Sequence, residues 1–544
     1  MMDGPRVLPR RQVVLTMGGV MLAMFLAALD QTVVSTALPR IIADLGGFDR
    51  YTWVTTAYLV ASTSVVPIVG RLTDIYGRKW FFVAAIVIFL IGSVLAGLSQ
   101  SMTQLIVFRA VQGLGGGAIM AISFVSVGDL VPPAERGKSQ GYLAAVFALS
   151  SVLGPTLGGL ITDQLSWHWI FFINLPLGIP IILLFIAFFP QIRSADVKHQ
   201  LDYLGVVTLI LTVVPLMLAF SWGGVQYPWA SIQVVGFLIF AGVMAMLFLF
   251  IESRAPEPIV PLSLFRNRVV SLSFVTIFLT GFAMFGGIIF IPLYFQGVLG
   301  KSATSSGSFM TPMMLGMVVG ATVSGQALSR MGGHYRRQGL IGLSILAVGV
   351  FLISRMTADT SFGVAIFNLV IMGFGMGTTF PIYTIAVQNA VPYRFMGVAT
   401  SATQFFRTIG GTLGLAILGS VLTNRFASEL TGSVSQGVKD VLPEGRLSSM
   451  AHNPQALINP EVQAQLQETF NQVGPQGAGL LEQLIVALRT SMSSAIGDVF
   501  TIALVAVVAA WLVTLFLREM PLKGRTLEEA EPGSVQPQPG MGRG

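Results

Sequence analysis

Gly70-Arg71-Leu72-Thr73-Asp74-Ile75-Tyr76-Gly77-Arg78-Lys79 joins two apolar stretches, 52–70 and 80–98, each long enough to cross a bilayer. Its glycines let a short connection turn and let neighbouring helices approach closely. Asp74 stands at a helix end beside Arg78 and Lys79, where an ion pair can form. Asp129, near the same end of the fourth apolar stretch, is a second candidate partner. A looser copy, Gly325-Gln326-Ala327-Leu328-Ser329-Arg330-Met331-Gly332 followed by Arg336 and Arg337, joins the tenth and eleventh stretches. A second repeated element accompanies it. Pro132-Pro133-Ala134-Glu135-Arg136-Gly137 follows the fourth stretch, and Pro392-Tyr393-Arg394-Phe395-Met396-Gly397 follows the twelfth. Internal repeats of this kind mark a membrane chain built from two related blocks.

The spans themselves read almost end to end. Helices are expected near 13–36, 52–70, 80–98, 103–127, 139–161 and 169–189, then as a pair near 202–221 and 231–251. Six more are expected near 270–295, 304–328, 338–356, 361–386, 398–422 and 495–517. The repeats assign spans one to six and nine to fourteen to the two blocks, with spans seven and eight inserted. The expected division is therefore 1–195 for the first block, 196–265 for the inserted pair and 266–523 for the second block. A long outer loop at about 424–494 and a disordered cytoplasmic tail at 524–544 complete it. The loop carries Leu466, Phe470, Leu480, Leu484 and Leu488 at loose helical spacing. It reads as a solvated amphipathic hairpin, with a substrate lid or docking element as the alternative.

Composition agrees. Of 544 residues, 53% are hydrophobic and 10% charged, against about 25% charged in a soluble domain. A soluble enzyme and a disordered chain are excluded. Cysteine is absent and histidine occurs four times. A disulfide scaffold, a thiol nucleophile and a cysteine-ligated metal site are excluded, and no metal or cofactor is expected. The first apolar helix is too long for a cleavable signal and is read as span one. Twenty-one of the 31 Lys and Arg fall on one side, eight on the other and two inside spans. That bias places both termini in the cytoplasm and the chain in the cell membrane. The net charge of +7 is thus a topology signal spread over many loops, not a nucleic-acid surface.

Charge within a span is costly and marks function by default. Asp30 is the one carboxylate well inside a span of the first block. It lies about nine residues from the outer end of span one, or ~13 Å at helical rise. Arg109 lies about seven residues into span four from the same side, or ~10 Å. A buried Asp30–Arg109 pair is therefore expected. Arg407 has no carboxylate at its depth and could meet a substrate, a lipid phosphate, helix carbonyls or water. Asp498 reads as an interfacial charge. The run Gly113 to Gly117 lies in mid-membrane with no Lys-Ser/Thr after it, so it packs helices and is not a phosphate loop. With no Walker sequence, energy comes from an ion gradient rather than ATP. In span five, Pro155 kinks a helix whose Gly154, Gly158 and Gly159 allow close approach. Met310, Met313, Met314 and Met317 form a stripe in span ten. With Phe282, Met284, Phe285 and Phe290 in span nine, they suit either promiscuous binding or plain packing. His168, between Trp167 and Trp169, is a pH sensor or a plain interfacial polar residue.

These motifs together resemble the major facilitator superfamily, in particular its fourteen-span drug:proton antiporter branch of bacterial multidrug exporters. The resemblance covers nearly the whole chain. It implies an all-α membrane protein of fourteen transmembrane helices, a major facilitator fold of two six-helix blocks plus an inserted helix pair. Gly70 to Lys79 matches the family's loop signature, Gly-x-Leu-x-Asp-x-x-Gly-Arg-Lys. The resemblance implies that Gly70, Asp74, Gly77, Arg78, Lys79 and Asp129 form a latch that locks the outward-facing state; a plain positive-inside loop is the alternative. The Leu29-Asp30-Gln31-Thr32 stretch and the Arg109 to Gly117 stretch are similar to its span-one and span-four signatures. They imply Asp30 as proton carrier with Arg109 and Gln112 as tuners, against a static packing pair. Gly154-Pro155-Thr156-Leu157-Gly158-Gly159 resembles the antiporter signature of exporters, with Ser150 where the family usually has glycine. His168 stands where the family usually has arginine. Some relatives that export dicationic drugs carry an acid in span ten, which this chain lacks. The implied function is proton-coupled export of lipophilic or amphipathic small molecules by alternating access, with Arg407, Met310, Met314 and Phe285 as cavity candidates. A lipid or glycolipid exporter is the alternative, and a non-transporting sensor or scaffold a more distant one. The implied partners are the substrate, protons and membrane lipid. Nothing indicates a periplasmic adaptor, and no nucleophile–base pair supports an enzyme.

Overall fold

In a computed structural model the chain is all-helical. The structure describes residues 9–45, 50, 52–132, 135–190, 201–224, 226–300, 303–330, 334–442, 445, 447, 450, 460–473 and 476–519. The expected tail 524–544 and Gly332 lie outside them. The first block contains α1 (Arg10–Leu45), α2 (Thr52–Tyr76), α3 (Lys79–Gly97), α4 (Met102–Leu130) and α5 (Arg136–Gln164), then the short α6 (Trp169–Phe172), continued by α7 (Asn174–Phe188). The inserted pair is α8 (Tyr203–Trp222) and α9 (Ile232–Glu252). The later helices are α10 (Arg268–Leu293), α11 (Ala303–Arg330), α12 (Tyr335–Ser354), α13 (Phe362–Ala390) and α14 (Met396–Ser433). Then come α15 (Gln436–Val441), α16 (Pro460–Asn471) and α17 (Gly477–Leu515).

Among the described residues, 13 helices are long and apolar enough to cross a membrane, with α6 and α7 counted as one. The fourteenth expected span, α11, is 28 residues long and packs between α5 and α13. Its glycines let it lie close to α13: a Cβ at Gly316 or Gly320 would overlap the backbone of α13. Proline lies inside α2, α5, α7, α8, α10, α11 and α13, where it removes a backbone hydrogen bond. After Pro292 the chain winds as a wide π turn over Tyr294–Val298.

The inserted pair rests on α2 and α14. Thr56 and Ser221 share a hydrogen bond of 3.0 Å, and Trp53 meets the Trp222 ring edge-on at 5.1 Å. Ile232, Ile239, Met246 and Phe250 of α9 are exposed and face the surroundings, as a helix at the rim of a membrane bundle does.

The long loop departs from expectation. α14 has 38 residues and α17 has 39, about 57–58 Å at helical rise, against a hydrocarbon core of ~30 Å. Both therefore project beyond the bilayer side by side, joined by Arg425–Asp498 at 3.2 Å and Ser433–Ser491 at 3.1 Å. Leu466, Phe470, Leu484 and Leu488 are buried in the same apolar cluster as the second-block helices. The described part of 424–494 is thus a packed helical extension, not a solvated hairpin. Its apolar spacing is the seam.

Candidate functional site

Helix α4 places Arg109 and Gln112 three residues apart on one face. That face can lie close to α2 and α3 because its glycines have no side chain. A Cβ at Gly113 or Gly117 would overlap the α2 backbone, and one at Gly115 the α3 backbone. Asp30 of α1 closes the group. Arg109 Nη1 lies 2.6 Å from Asp30 Oδ2 and donates also to Gln112 Oε1 at 2.6 Å. Gln112 Nε2 donates to Asp30 Oδ1 at 2.8 Å and to Ser93 Oγ at 3.1 Å. Asn174, at the start of α7, donates to Asp30 Oδ1 at 3.1 Å and to Ser93 Oγ at 2.8 Å. The Tyr58 ring lies under the guanidinium, 4.3 Å from Cζ to centroid. Asp30 and Arg109 are each 1% exposed. The expected pair is present, and Asn174, Ser93 and Tyr58 join it unforeseen. The signal for Asn174 was its place as an amide within the apolar Phe171-Phe172-Ile173-Asn174-Leu175 run.

The second group lies at the end of the bundle that carries Gly77, whose φ of 87° suits glycine alone. Arg78 bridges Asp74 at 3.0 Å and Asp129 at 2.5 Å, with side chains at most 4% exposed. Asp74 reaches further. Its carboxylate accepts the backbone N–H groups of Gly397 (2.8 Å) and Val398 (2.9 Å), so α2 caps the N-terminus of α14. α14 has no side-chain cap of its own. Tyr393 Oη donates to Asp129 at 3.0 Å. Lys79 does not take part; it donates to the Ile186 carbonyl at the end of α7, 2.8 Å away.

Glycines bring these helices together crosswise. A Cβ at Gly70 would overlap Ser401 and one at Gly397 would overlap Asp74 and the Gly70 carbonyl. In the related position Gly137 of α5 and Gly325 of α11 touch backbone to backbone. The first element of each repeat thus meets the second element of the other. The two contacts differ in charge, because Ser329 stands where the first repeat has Asp74.

In α5, Gly154 and Gly158 receive Thr32 and Thr36 of α1, whereas Gly159 faces open space. Pro155 lies between them within the helix. Met313, Met314 and Met317 are buried in the contact of α11 with α13, and Met310 and Phe285 are half-buried beside it. Arg407 is buried over the Phe380 ring, 3.7 Å from Cζ to centroid. His168 stacks on Trp167 at 3.8 Å between centroids. Among the described residues no group of His, Cys, Asp and Glu could hold a metal.

The family model of the Major Facilitator Superfamily matches residues 20–201 and 203–415. The multidrug transporter protein MdtP of Bacillus subtilis is 39% identical over 515 residues, 94% of either chain. Multidrug resistance protein 3 of the same organism is 39% identical over 505 residues, covering 93% of this chain and 95% of its own. Among solved structures, the human organic anion transporter MFSD10 superposes with a TM-score of 0.56 at 16% identity, covering 88% of this chain and all of that one. The proton:xylose symporter XylE superposes at 0.55 and 12%, covering 94% and 98%. These two show the fold alone. The relatives are transporters, not enzymes, and so is this chain. By the family match and by these relatives along nearly its full length, this multi-pass membrane protein belongs to the Major Facilitator Superfamily.

Proposed function

We propose that this chain exports lipophilic or amphipathic small molecules from the cytoplasm in exchange for protons. The observation that carries the reading is Asp30: a carboxylate 1% exposed, held by one guanidinium and two amides between α1, α4 and α7. A carboxylate beside a cation is held ionised, and one left in an apolar site without the cation takes up a proton. A helix movement that separates Asp30 from Arg109 therefore couples protonation to conformation, with Gln112 and Asn174 holding the geometry. The superfamily's two blocks rock around a central site. The Asp74–Arg78–Asp129 group, with the α14 cap, is the latch that keeps the Gly77 end closed. Gly154, Pro155 and Gly158 shape the α1–α5 contact that seals the path. Arg407, Met310 and Phe285 face the substrate, whereas Met314, buried in the helix packing, does not. Both termini and the basic Gly77 end lie in the cytoplasm, in the cell membrane. The multidrug names of the relatives support export of drug-like molecules.

The test is transport in proteoliposomes under an imposed pH gradient, with a panel of lipophilic drugs and fluorescent lipids. The expected result is gradient-driven drug transport by the wild type and none by Asp30→Asn, with the variant folded. Equal gradient dependence in Asp30→Asn refutes the proton-carrier role, and transport of lipid alone replaces the drug-export reading with lipid export.

A further inference from the structure

We infer that Arg407 is a recognition site for the oxyanion head of an amphipathic substrate, a lipophilic carboxylate, sulfonate or phosphate ester. The inference deepens the export reading and rests on it for calling the ligand a substrate. Arg407 lies eleven residues into α14, ~17 Å along the helix and near the middle of a ~30 Å core. It is 8% exposed.

The other buried guanidiniums have oxygen partners. Arg109 has Asp30 and Gln112, Arg78 has Asp74 and Asp129, and Arg71 lies 4.0 Å from Glu257. Among the described residues Arg407 has only the face of Phe380: the Nε of all four finds no acceptor, but Arg407 alone lacks a carboxylate partner as well. A ring face stabilises the cation but satisfies none of its five N–H donors.

Nor can the helix turn to bring the guanidinium out to lipid headgroups. A Cβ at Gly281 would overlap the Arg407 carbonyl, and one at Gly410 would overlap that of Phe278, so α14 and α10 are pressed together at the residue and over the turn that follows it. A buried, fixed and unpaired guanidinium is matched by an oxyanion that presents two acceptor oxygens, which takes two of its donors at once. Phe380 on α13 supplies an apolar surface beside that head group. Charge selects in the same direction. Asp30 and Arg109 cancel each other, and among the described residues no carboxylate pairs with Arg407, so its surroundings are positive and unfavourable to lipophilic cations.

The test uses the full chain in phosphatidylcholine vesicles and three labelled probes with one ring system: 2-naphthylacetate, the neutral 2-naphthylacetamide and 2-(2-naphthyl)ethylammonium. The wild type is expected to bind the carboxylate at least about tenfold more tightly than the ammonium compound. Arg407→Gln is expected to remove about tenfold of carboxylate affinity and leave the amide unchanged, while Arg407→Lys keeps the order of preference. Carboxylate binding no tighter than ammonium binding overturns the inference, as does an equal loss for all three probes in Arg407→Gln. Phosphatidylglycerol added to the vesicles separates the two sources of oxyanion. Undiminished carboxylate binding supports a transported anion, whereas displacement that depends on Arg407 overturns that assignment in favour of a lipid headgroup. Gradient-driven transport of the neutral amide tests the export reading separately: its failure alongside selective carboxylate binding removes export and leaves the site.

Discussion

Replacing Asp74 by asparagine should open the Gly77 end of the molecule. In the closed arrangement the Asp74 carboxylate accepts two N–H groups at the start of α14 and holds Arg78 at 3.0 Å, with its side chain 2% exposed. Asparagine keeps one acceptor oxygen, turns a donor amide toward the second N–H and loses the charge that faces the helix N-terminus. A lost cap costs about 1–2 kcal/mol. Loss of a partly buried anion at a helix N-terminus costs up to ~2 kcal/mol more. None of these contacts survives when α2 and α14 separate, so the whole sum of about 1–4 kcal/mol falls on the closed-to-open ratio. That is a shift of about 5- to 700-fold. The chain has no cysteine, so one introduced thiol is the only one to react. Ser401 is fully buried against Gly70, and a thiol at Ser401→Cys is modified only when this contact opens. Its modification rate follows the open population, and the cost of the label site cancels between the two backgrounds. The Asp74→Asn background is expected to raise the rate about fivefold or more. A rise of less than about threefold in folded protein refutes the assignment of the cap to the closed state.

Arg109→Ala leaves Asp30 buried with two amides and no cation, and should cost about 3–5 kcal/mol, read as a lower thermal unfolding temperature in detergent. Adding Asp30→Asn should recover part of that loss, and no recovery would mean that packing, not charge, was lost. Gly154→Ala should destabilise by about 1–3 kcal/mol because its Cβ meets Thr32. Gly159→Ala, one turn on and facing open space, should be neutral or stabilising by up to about 1 kcal/mol, measured in the same unfolding assay. Asn174→Ala removes the donor shared by Asp30 and Ser93. It should cost about 1–3 kcal/mol and displace the pH profile of gradient-driven transport; an unchanged profile would make Asn174 a packing residue.

The Asp30–Arg109 pair was legible because helical rise is constant: two counts from span ends put both charges at one depth. Their amide partner was not. Small polar residues are common within membrane helices, and only the packing of α7 against α1 and α3 brings Asn174 to the carboxylate. The latch was half legible. Arg78 lies four residues from Asp74, within one helical turn of reach, but Gly397 lies 323 residues away. Lys79 looked like part of the latch by adjacency alone, and the turn at Gly77 directs it to the end of α7 instead.

By itself the sequence determined which stretches form the membrane helices, that they repeat as two blocks with an inserted pair, and which few charges the spans retain. Hydropathy, helical rise and repetition are properties of the chain read along one dimension. Tertiary structure alone decided which helix ends meet. It decided that Gly70 faces Gly397 while Gly137 faces Gly325, that among the described residues only the first of these contacts is fastened by a carboxylate, and that Arg407 is left with a ring face. Those outcomes depend on which glycines allow two backbones to touch, and that is settled by side-chain volume across an interface rather than by position in the chain.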